Sequence, residues 1–207
     1  MLKNNQTNRI HISLFQDQMK SKVSTWVLVC LWILLLVTPA VIHAQPLSPR
    51  LSTALNQMGM VPFTDHVQSA SFDLQDHNGN PVSLSDFSGQ MVMVNFWATW
   101  CGPCRIEMPS MQRMYDSFRD RGFVLLAVNT RETPRVVAQF MEEFGYTFPI
   151  ALDVNGRVSF QYGVRSIPLT YLIDPAGRII AGKPGAQEWD GPRIFQGLDQ
   201  VLQIYGK

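Results

Sequence analysis

Cysteine and histidine are scarce in this sequence. The 207 residues include three cysteines and four histidines, and beyond residue 44 the cysteines are Cys101 and Cys104 and the histidines are His66 and His77. A structural zinc site needs four ligands, and these two histidines precede the cysteines without forming a ligand pair. A copper site of two thiols and a distant histidine is also disfavoured, because no histidine follows Cys104. We therefore expect no metal at these cysteines.

The sequence also lacks an excess of basic charge. Its formal net charge is +1, and four of its 17 Lys and Arg residues fall within residues 1–44 together with a single acid. The rest of the chain holds 13 basic and 15 acidic residues and is slightly negative. Without a basic field there is little to attract a nucleic-acid backbone, so we expect no nucleic acid among the partners.

Charged side chains are missing altogether from Val23–Ala44, a stretch that follows two lysines. A basic flank, an apolar run and a small final residue are typical of a secretory signal, and the run is also long enough to span a bilayer. We predict that residues 1–44 are a signal peptide or an N-terminal membrane anchor, with Met19 as an alternative start. Cys30, inside the run, is interpreted as an apolar filler. The rest of the protein is then periplasmic or otherwise extracytoplasmic, either soluble after cleavage or tethered to the inner membrane.

The remaining chain alternates strand and helix signals. Residues 45–70 carry apolar side chains at helical spacing up to Gly59, which predicts a short helix and a linker. Residues 71–207 begin with a hairpin around the turn "DHNGNP" and continue with buried strands and a helix that has Thr133 as N-cap and Gly145 as its stop. The order β-β-β-α-β-α-β-α-β-β-α predicts an α/β domain with a mixed central sheet and helices on both faces.

Cys101 and Cys104 stand in "NFWATWCGPCRIEMP", where a strand ends and a helix begins. A purely structural disulfide across two intervening residues closes a very small loop and contributes little stability. Redox exchange is favoured, because the free N–H groups and the positive end of the helix dipole stabilise a thiolate at Cys101. Cys104 lies one turn later and can attack the mixed disulfide that Cys101 forms. We predict a redox-active Cys101–Cys104 disulfide with Cys101 as the more exposed nucleophile.

The longer strings around the cysteines resemble a known family. "WCGPC" after an apolar strand resembles thioredoxin, and "VNFWATWCGPCRIEMP", "VSLSDFSGQ" and "YGVRSIPLTYLIDPAGRI" resemble the exported TlpA/ResA-like branch of the thioredoxin superfamily. The resemblance covers about residues 70–207. It implies a thioredoxin fold with an extra N-terminal β-hairpin and an α/β insertion before a cis-proline loop, and the activity of a thiol:disulfide oxidoreductase.

The resemblance also assigns a catalytic role to Glu107, three residues after Cys104. In this branch a glutamate here is buried near the second cysteine and helps to move its proton; the alternative is a solvated carboxylate favoured by the helix N-terminus. Asn95 occupies the place of the aspartate relay of cytosolic thioredoxins, and an amide cannot titrate. The relay then passes to Glu107, unless Asn95 is simply a hydrogen-bonding strand residue.

Substrate binding is expected at Trp100, Ile167 and Pro168. The family match at "SIPLT" implies a cis peptide bond between Ile167 and Pro168, which would present the backbone of Ile167 to a substrate strand. Of the tryptophans flanking the cysteine motif, Trp100 is assigned to the substrate side and Trp97 to packing under the sheet. Trp189 is interpreted as a packing residue between the last hairpin and the last helix.

These features predict an exported reductant of protein disulfides. The Gly-Pro dipeptide and the branch resemblance indicate that the protein reduces its substrates rather than oxidising them. A membrane dithiol is the implied electron donor. Apocytochrome c and copper-site thiols are targets by analogy. We expect a monomer with no cofactor besides the redox-active disulfide. Two alternatives stay open: a peroxiredoxin-like peroxidase, although Thr99 is too close to Cys101 for that motif, and a copper- or protein-binding module without turnover.

Overall fold

The structure is a computed structural model that describes residues 47–207. The predictions of a signal peptide or anchor, of a start at Met19 and of an apolar role for Cys30 concern residues outside this range. Within residues 47–207, none of the helices has the length and hydrophobicity needed to span a lipid bilayer. The helices and strands of this part of the chain are α1 (Pro49–Gln57), β1 (Val61–Gln68), β2 (Asp73–Gln75), β3 (Pro81–Ser83), β4 (Met91–Trp97), α2 (Gly102–Phe118), β5 (Phe123–Thr130), α3 (Pro134–Phe144), β6 (Ile150–Asp153), α4 (Arg157–Gln161), β7 (Leu169–Ile173), β8 (Arg178–Pro184) and α5 (Pro192–Ile204).

A six-stranded mixed sheet has the order β1-β8-β7-β4-β5-β6. The β4, β5 and β6 strands are parallel, whereas β7 runs antiparallel to β4, β8 to β7 and β1 to β8. The β2 and β3 strands form a separate antiparallel hairpin. The α3 helix, β6 and α4 lie between β5 and Pro168, where the sequence places the insertion.

Strand β4 is buried along its whole length and supplies side chains to two hydrophobic cores. Successive side chains of a strand point to opposite faces of the sheet. Met91, Met93 and Trp97 pack into the core beneath α1, α2, α3 and α5, whereas Val92, Val94 and Phe96 face the hairpin and α4. Asn95 belongs to the first face by this alternation, so the one polar residue of the strand points towards α2.

The α1 and α5 helices approach closely at Gly197. A Cβ atom added there would lie 2.7 Å from the carbonyl oxygen of Ala54 and 2.7 Å from Cγ of Met58. Glycine therefore allows the two helices to meet backbone to backbone, and α1 covers part of the first core with Leu51, Ala54 and Leu55.

The structure differs from the predicted boundaries at residues 61–68. The sequence places a linker there, whereas the structure has strand β1, which pairs with β8 through Val61–Gly182 and Gln68–Arg178 and shifts register between Pro62 and Val67. Proline and a bulge are tolerated because β1 lies at the edge of the sheet. The short helix predicted just before this strand is present as α1.

Candidate functional site

The two cysteines lie at the first turn of α2 and are joined in a disulfide. Cys101 is the N-cap residue, and the backbone N–H of Cys104 donates to its sulfur at 3.3 Å. Cys101 is 4% exposed and Cys104 is 0% exposed. A thiolate at Cys101 would keep this donor and the positive end of the helix dipole, so Cys101 has both the better access and the better anion stabilisation.

Glu107 follows one turn later on the buried side of α2, with 1% of its surface exposed. The alternative of a solvated carboxylate is therefore wrong. Its Oε2 accepts from the indole N–H of Trp189 at 3.0 Å and from the backbone N–H of Gln187 at 3.3 Å. Its Oε1 accepts from the side-chain amide of Asn95 at 3.0 Å. Burial raises the pKa of Glu107, and these hydrogen bonds oppose the rise because they favour the charged form.

Asn95 connects the carboxylate to the sheet. Its amide nitrogen donates to Glu107 and also to Oγ1 of Thr170 at 3.0 Å, and Thr170 is its direct cross-strand partner on β7. All three side chains are buried. Asn95 is thus a hydrogen-bonding strand residue, as one interpretation of the sequence has it, and the group that it orients is Glu107.

The sequence does not reveal the hydrogen bond between Trp189 and Glu107. Trp189 is fully buried and packs in the first core as expected, but its indole also donates to Glu107. Its backbone N–H donates to Oγ of Ser110 at 2.9 Å, and that hydroxyl donates to the carbonyl of Glu107 at 2.7 Å. Since this segment is some 80 residues from α2 in the chain, no local pattern marks the pairing.

A second carboxylate holds the loop in front of the cysteines. Glu132 accepts the backbone N–H of Thr99 at 2.7 Å and its hydroxyl at 2.5 Å, and the amide of Asn129 at 2.7 Å. These bonds fix the chain two residues before Cys101. Glu132 was not singled out from the sequence, and its only local signal is its position shortly after the buried strand β5.

Two of the three predicted substrate-side residues line a cleft. The Ile167–Pro168 peptide bond is cis, Pro168 is buried and Ile167 is partly exposed. Trp100 is 70% exposed, whereas Trp97 is fully buried and packs against Phe140 with ring centroids 5.2 Å apart. Trp100 and Ile167 both line a cleft of about 540 Å³. Among the side chains that the structure describes, no group of three or more His, Cys, Asp and Glu residues could hold a metal ion.

Comparisons with known proteins agree on the class of chemistry. The AhpC/TSA family model matches residues 66–181. Thiol-disulfide oxidoreductase ResA of Bacillus subtilis is 38% identical over 122 residues, which are 59% of this chain and 68% of that protein. ResA of Bacillus thuringiensis is 36% identical over 136 residues, 66% of this chain and 75% of the relative.

Solved structures of similar proteins share the fold of this chain. A thiol:disulfide interchange protein, DsbE, of Chlorobium tepidum superposes with a TM-score of 0.61 at 31% identity, covering 66% of this chain and 96% of that one. StoA of Bacillus subtilis has a TM-score of 0.54 at 29% identity and covers 61% and 96%.

Proposed function

The chain belongs to the AhpC/TSA family and is a thiol-disulfide oxidoreductase of the TlpA/ResA-like branch, and on that basis we propose that it reduces protein disulfides outside the cytoplasm. The observation that carries this proposal is the cysteine pair at the start of α2 with a buried carboxylate, Glu107, one turn below it. A nucleophile, a resolving thiol and a base are the groups that disulfide exchange requires.

The proposed reaction starts from the reduced protein. The Cys101 thiolate attacks one sulfur of a substrate disulfide, and the other substrate sulfur leaves as a thiolate. Cys104 then loses its proton to Glu107 and attacks Cys101, which releases the second substrate thiolate and leaves the Cys101–Cys104 disulfide. The raised pKa of Glu107 supports its role as base, because a carboxylate is a better proton acceptor when its pKa lies nearer to the operating pH.

Substrate recognition is assigned to Trp100, Ile167 and Pro168. Trp100 and Ile167 line one cleft, and the exposure of Trp100 supports contact with a partner rather than with the core. We infer that a substrate segment lies along the backbone of Ile167, beside the cis proline.

A protein that reduces substrate disulfides must itself receive electrons from another protein. After each cycle the Cys101–Cys104 disulfide must be reduced by another dithiol, and for an extracytoplasmic protein a membrane dithiol protein is the proposed donor. Apocytochrome c and the thiols of copper sites are the proposed targets by family analogy. We propose no cofactor besides the disulfide itself, and a monomer that is either soluble or tethered by residues 1–44.

The test is the trapped intermediate. Cys104→Ser should accumulate mixed disulfides through Cys101, and Cys101→Ser is the matched control that should form none. If Cys104→Ser traps nothing, the assignment of the nucleophile is wrong. Turnover of hydrogen peroxide by Cys104→Ser would instead favour the peroxiredoxin-like alternative, and stoichiometric copper binding without disulfide reduction would favour a binding module. A reduction potential near roughly −120 mV, as in a strong oxidant, would contradict the reducing direction.

A further inference from the structure

A cleft adjoins the residues that precede the disulfide and the cis proline in the chain. It has a volume of about 540 Å³ and begins at Trp100, the residue before Cys101, and at Ile167, the residue before the cis proline. Arg131, Phe160 and Arg165 also line it, and we call it the arginine cleft. A chain that contacts Ile167 next to the disulfide would therefore run directly into it.

The charged residues that line the arginine cleft are both arginines. Arg131 and Arg165 are exposed, and in residues 47–207 neither forms an ion pair within 4.0 Å. Aspartate and glutamate are absent from the residues that line the cleft. Two carboxylates lie behind this lining, Glu132 bonded to Thr99 and Asn129, and buried Asp153 bonded to Ser159, and neither forms an ion pair with Arg131 or Arg165 within residues 47–207. Two exposed guanidinium groups without an ion pair favour an anionic partner.

Arg131 has an unusual backbone conformation, and its side chain lies close to a glycine. Its φ is 61°, and it is the one non-glycine residue in the left-handed region within residues 47–207. A Cβ atom added to Gly156 would lie 2.5 Å from Nε of Arg131. The guanidinium therefore lies close over the backbone of Gly156, where a larger residue would displace it.

The same cleft offers apolar surface. Phe160 is 83% exposed and Trp100 is 70% exposed, which is unusual for side chains of this size without a partner. Aromatic rings and arginine are the residue types enriched where proteins bind one another.

We propose that the arginine cleft selects protein substrates whose disulfide is flanked by acidic side chains and an apolar residue. The carboxylates pair with Arg131 and Arg165, and the apolar residue packs on Trp100 and Phe160, while the disulfide lies over Cys101. This inference rests on the proposed function and names the class of substrate that the same site prefers.

The experiment compares three disulfide-linked peptides that differ in their flanking residues: glutamate, glutamine or lysine. Second-order rate constants for their reduction by the reduced protein are measured at low and high salt. The glutamate peptide should react faster than the lysine peptide by about tenfold at low salt, and salt should shrink the ratio. In Arg131→Gln and Arg165→Gln the ratio should fall, each by about threefold, and in the double variant it should approach one. Arg50→Gln, an exposed arginine on α1 outside the cleft, is the matched control and should keep the full ratio.

The outcomes separate the two proposals. Reduction of the glutamine peptide without any preference for glutamate over lysine, or a preference that survives in the double variant, overturns the cleft inference and leaves the reductase proposal intact. Failure to reduce any of the three peptides overturns both. A double variant that loses its fold is recognised by far-UV circular dichroism, and the two single variants then carry the test.

Discussion

Replacing Trp189 with phenylalanine removes one hydrogen bond to Glu107 and keeps a buried aromatic ring. The structure supplies a matched control in Trp97, which is equally buried, but whose indole nitrogen has no hydrogen-bond partner within residues 47–207. Both substitutions remove the same atoms from the same hydrophobic core. The difference between the two variants therefore isolates the bond from Trp189 to the carboxylate.

The expected size of the destabilisation follows from the charge of the hydrogen-bond acceptor, the Glu107 carboxylate. A hydrogen bond to a charged group contributes about 1.5–3 kcal/mol, and leaving a buried carboxylate with one donor fewer has a cost of the same order. Trp97→Phe loses no such bond, because its N–H is unpaired. We expect Trp189→Phe to lower the free energy of unfolding by about 2 kcal/mol more than Trp97→Phe when Glu107 is ionised.

The difference should also depend on pH in a defined direction. Burial raises the pKa of Glu107 above its value in the unfolded chain, so stability falls as pH rises from the unfolded pKa through the folded one. The indole of Trp189 opposes this by stabilising the charged form. Its loss raises the pKa further, so the penalty of Trp189→Phe is fully present above the folded pKa and shrinks as acid protonates Glu107.

Urea denaturation of the oxidised proteins, from pH 4 to pH 8, measures both effects. Oxidised protein is used because the cysteines do not titrate while they are in the disulfide. Equal m-values are required, since a changed slope would report a changed native or denatured state. Equal destabilisation by the two variants, or a Trp189→Phe penalty that grows as the pH falls, would refute the assigned hydrogen bond.

Three further predictions concern other contacts. Glu107→Gln should shift the pH profile of disulfide exchange, measured as the rate of insulin reduction, and an unchanged profile would remove Glu107 from proton transfer. Glu132→Gln should slow exchange by weakening the bonds that hold Thr99; unaltered kinetics would mean that Glu132 does not position the loop. Gly197→Ala should lower the free energy of unfolding by about 1–3 kcal/mol, because its Cβ would meet the carbonyl of Ala54, and thermal melts that match the native protein would contradict that close approach.

Local signals account for what the sequence predicts well. The thioredoxin-like fold, the mixed sheet and the oxidoreductase class are confirmed, and each depends on short-range patterns in strands, turns and the cysteine motif. The α3 helix is an example: Thr133 is its N-cap, Pro134 is at its first position, and Gly145 ends it with a φ of 67°. Such residues act within one turn of helix, so a single sequence contains the information.

Contacts between distant segments account for what the sequence misses. Strand β1 is stabilised by pairing with β8 more than 100 residues later, while its own sequence, with Pro62 and a register shift, resembles a linker. Trp189 is recognisable as a buried aromatic residue, yet its acceptor is identified only once the segment before α5 is placed against α2. Hydrogen bonds of this kind leave no periodic signal, because either partner could satisfy its polar group in many other ways.

The amide at position 95 has a physical reason that the structure makes explicit. Asn95 donates to the Oε1 of Glu107 and to Thr170 with the two hydrogens of one nitrogen. An aspartate there would bring a second acceptor to within hydrogen-bonding distance of the Glu107 carboxylate, and two buried carboxylates at that distance cannot both ionise. The pair would share a proton, and the titration would belong to neither residue alone. With asparagine on β4, the buried polar cluster of Asn95, Thr170 and Glu107 keeps one titratable group, so the proposed mechanism has a single defined acceptor for the proton of Cys104.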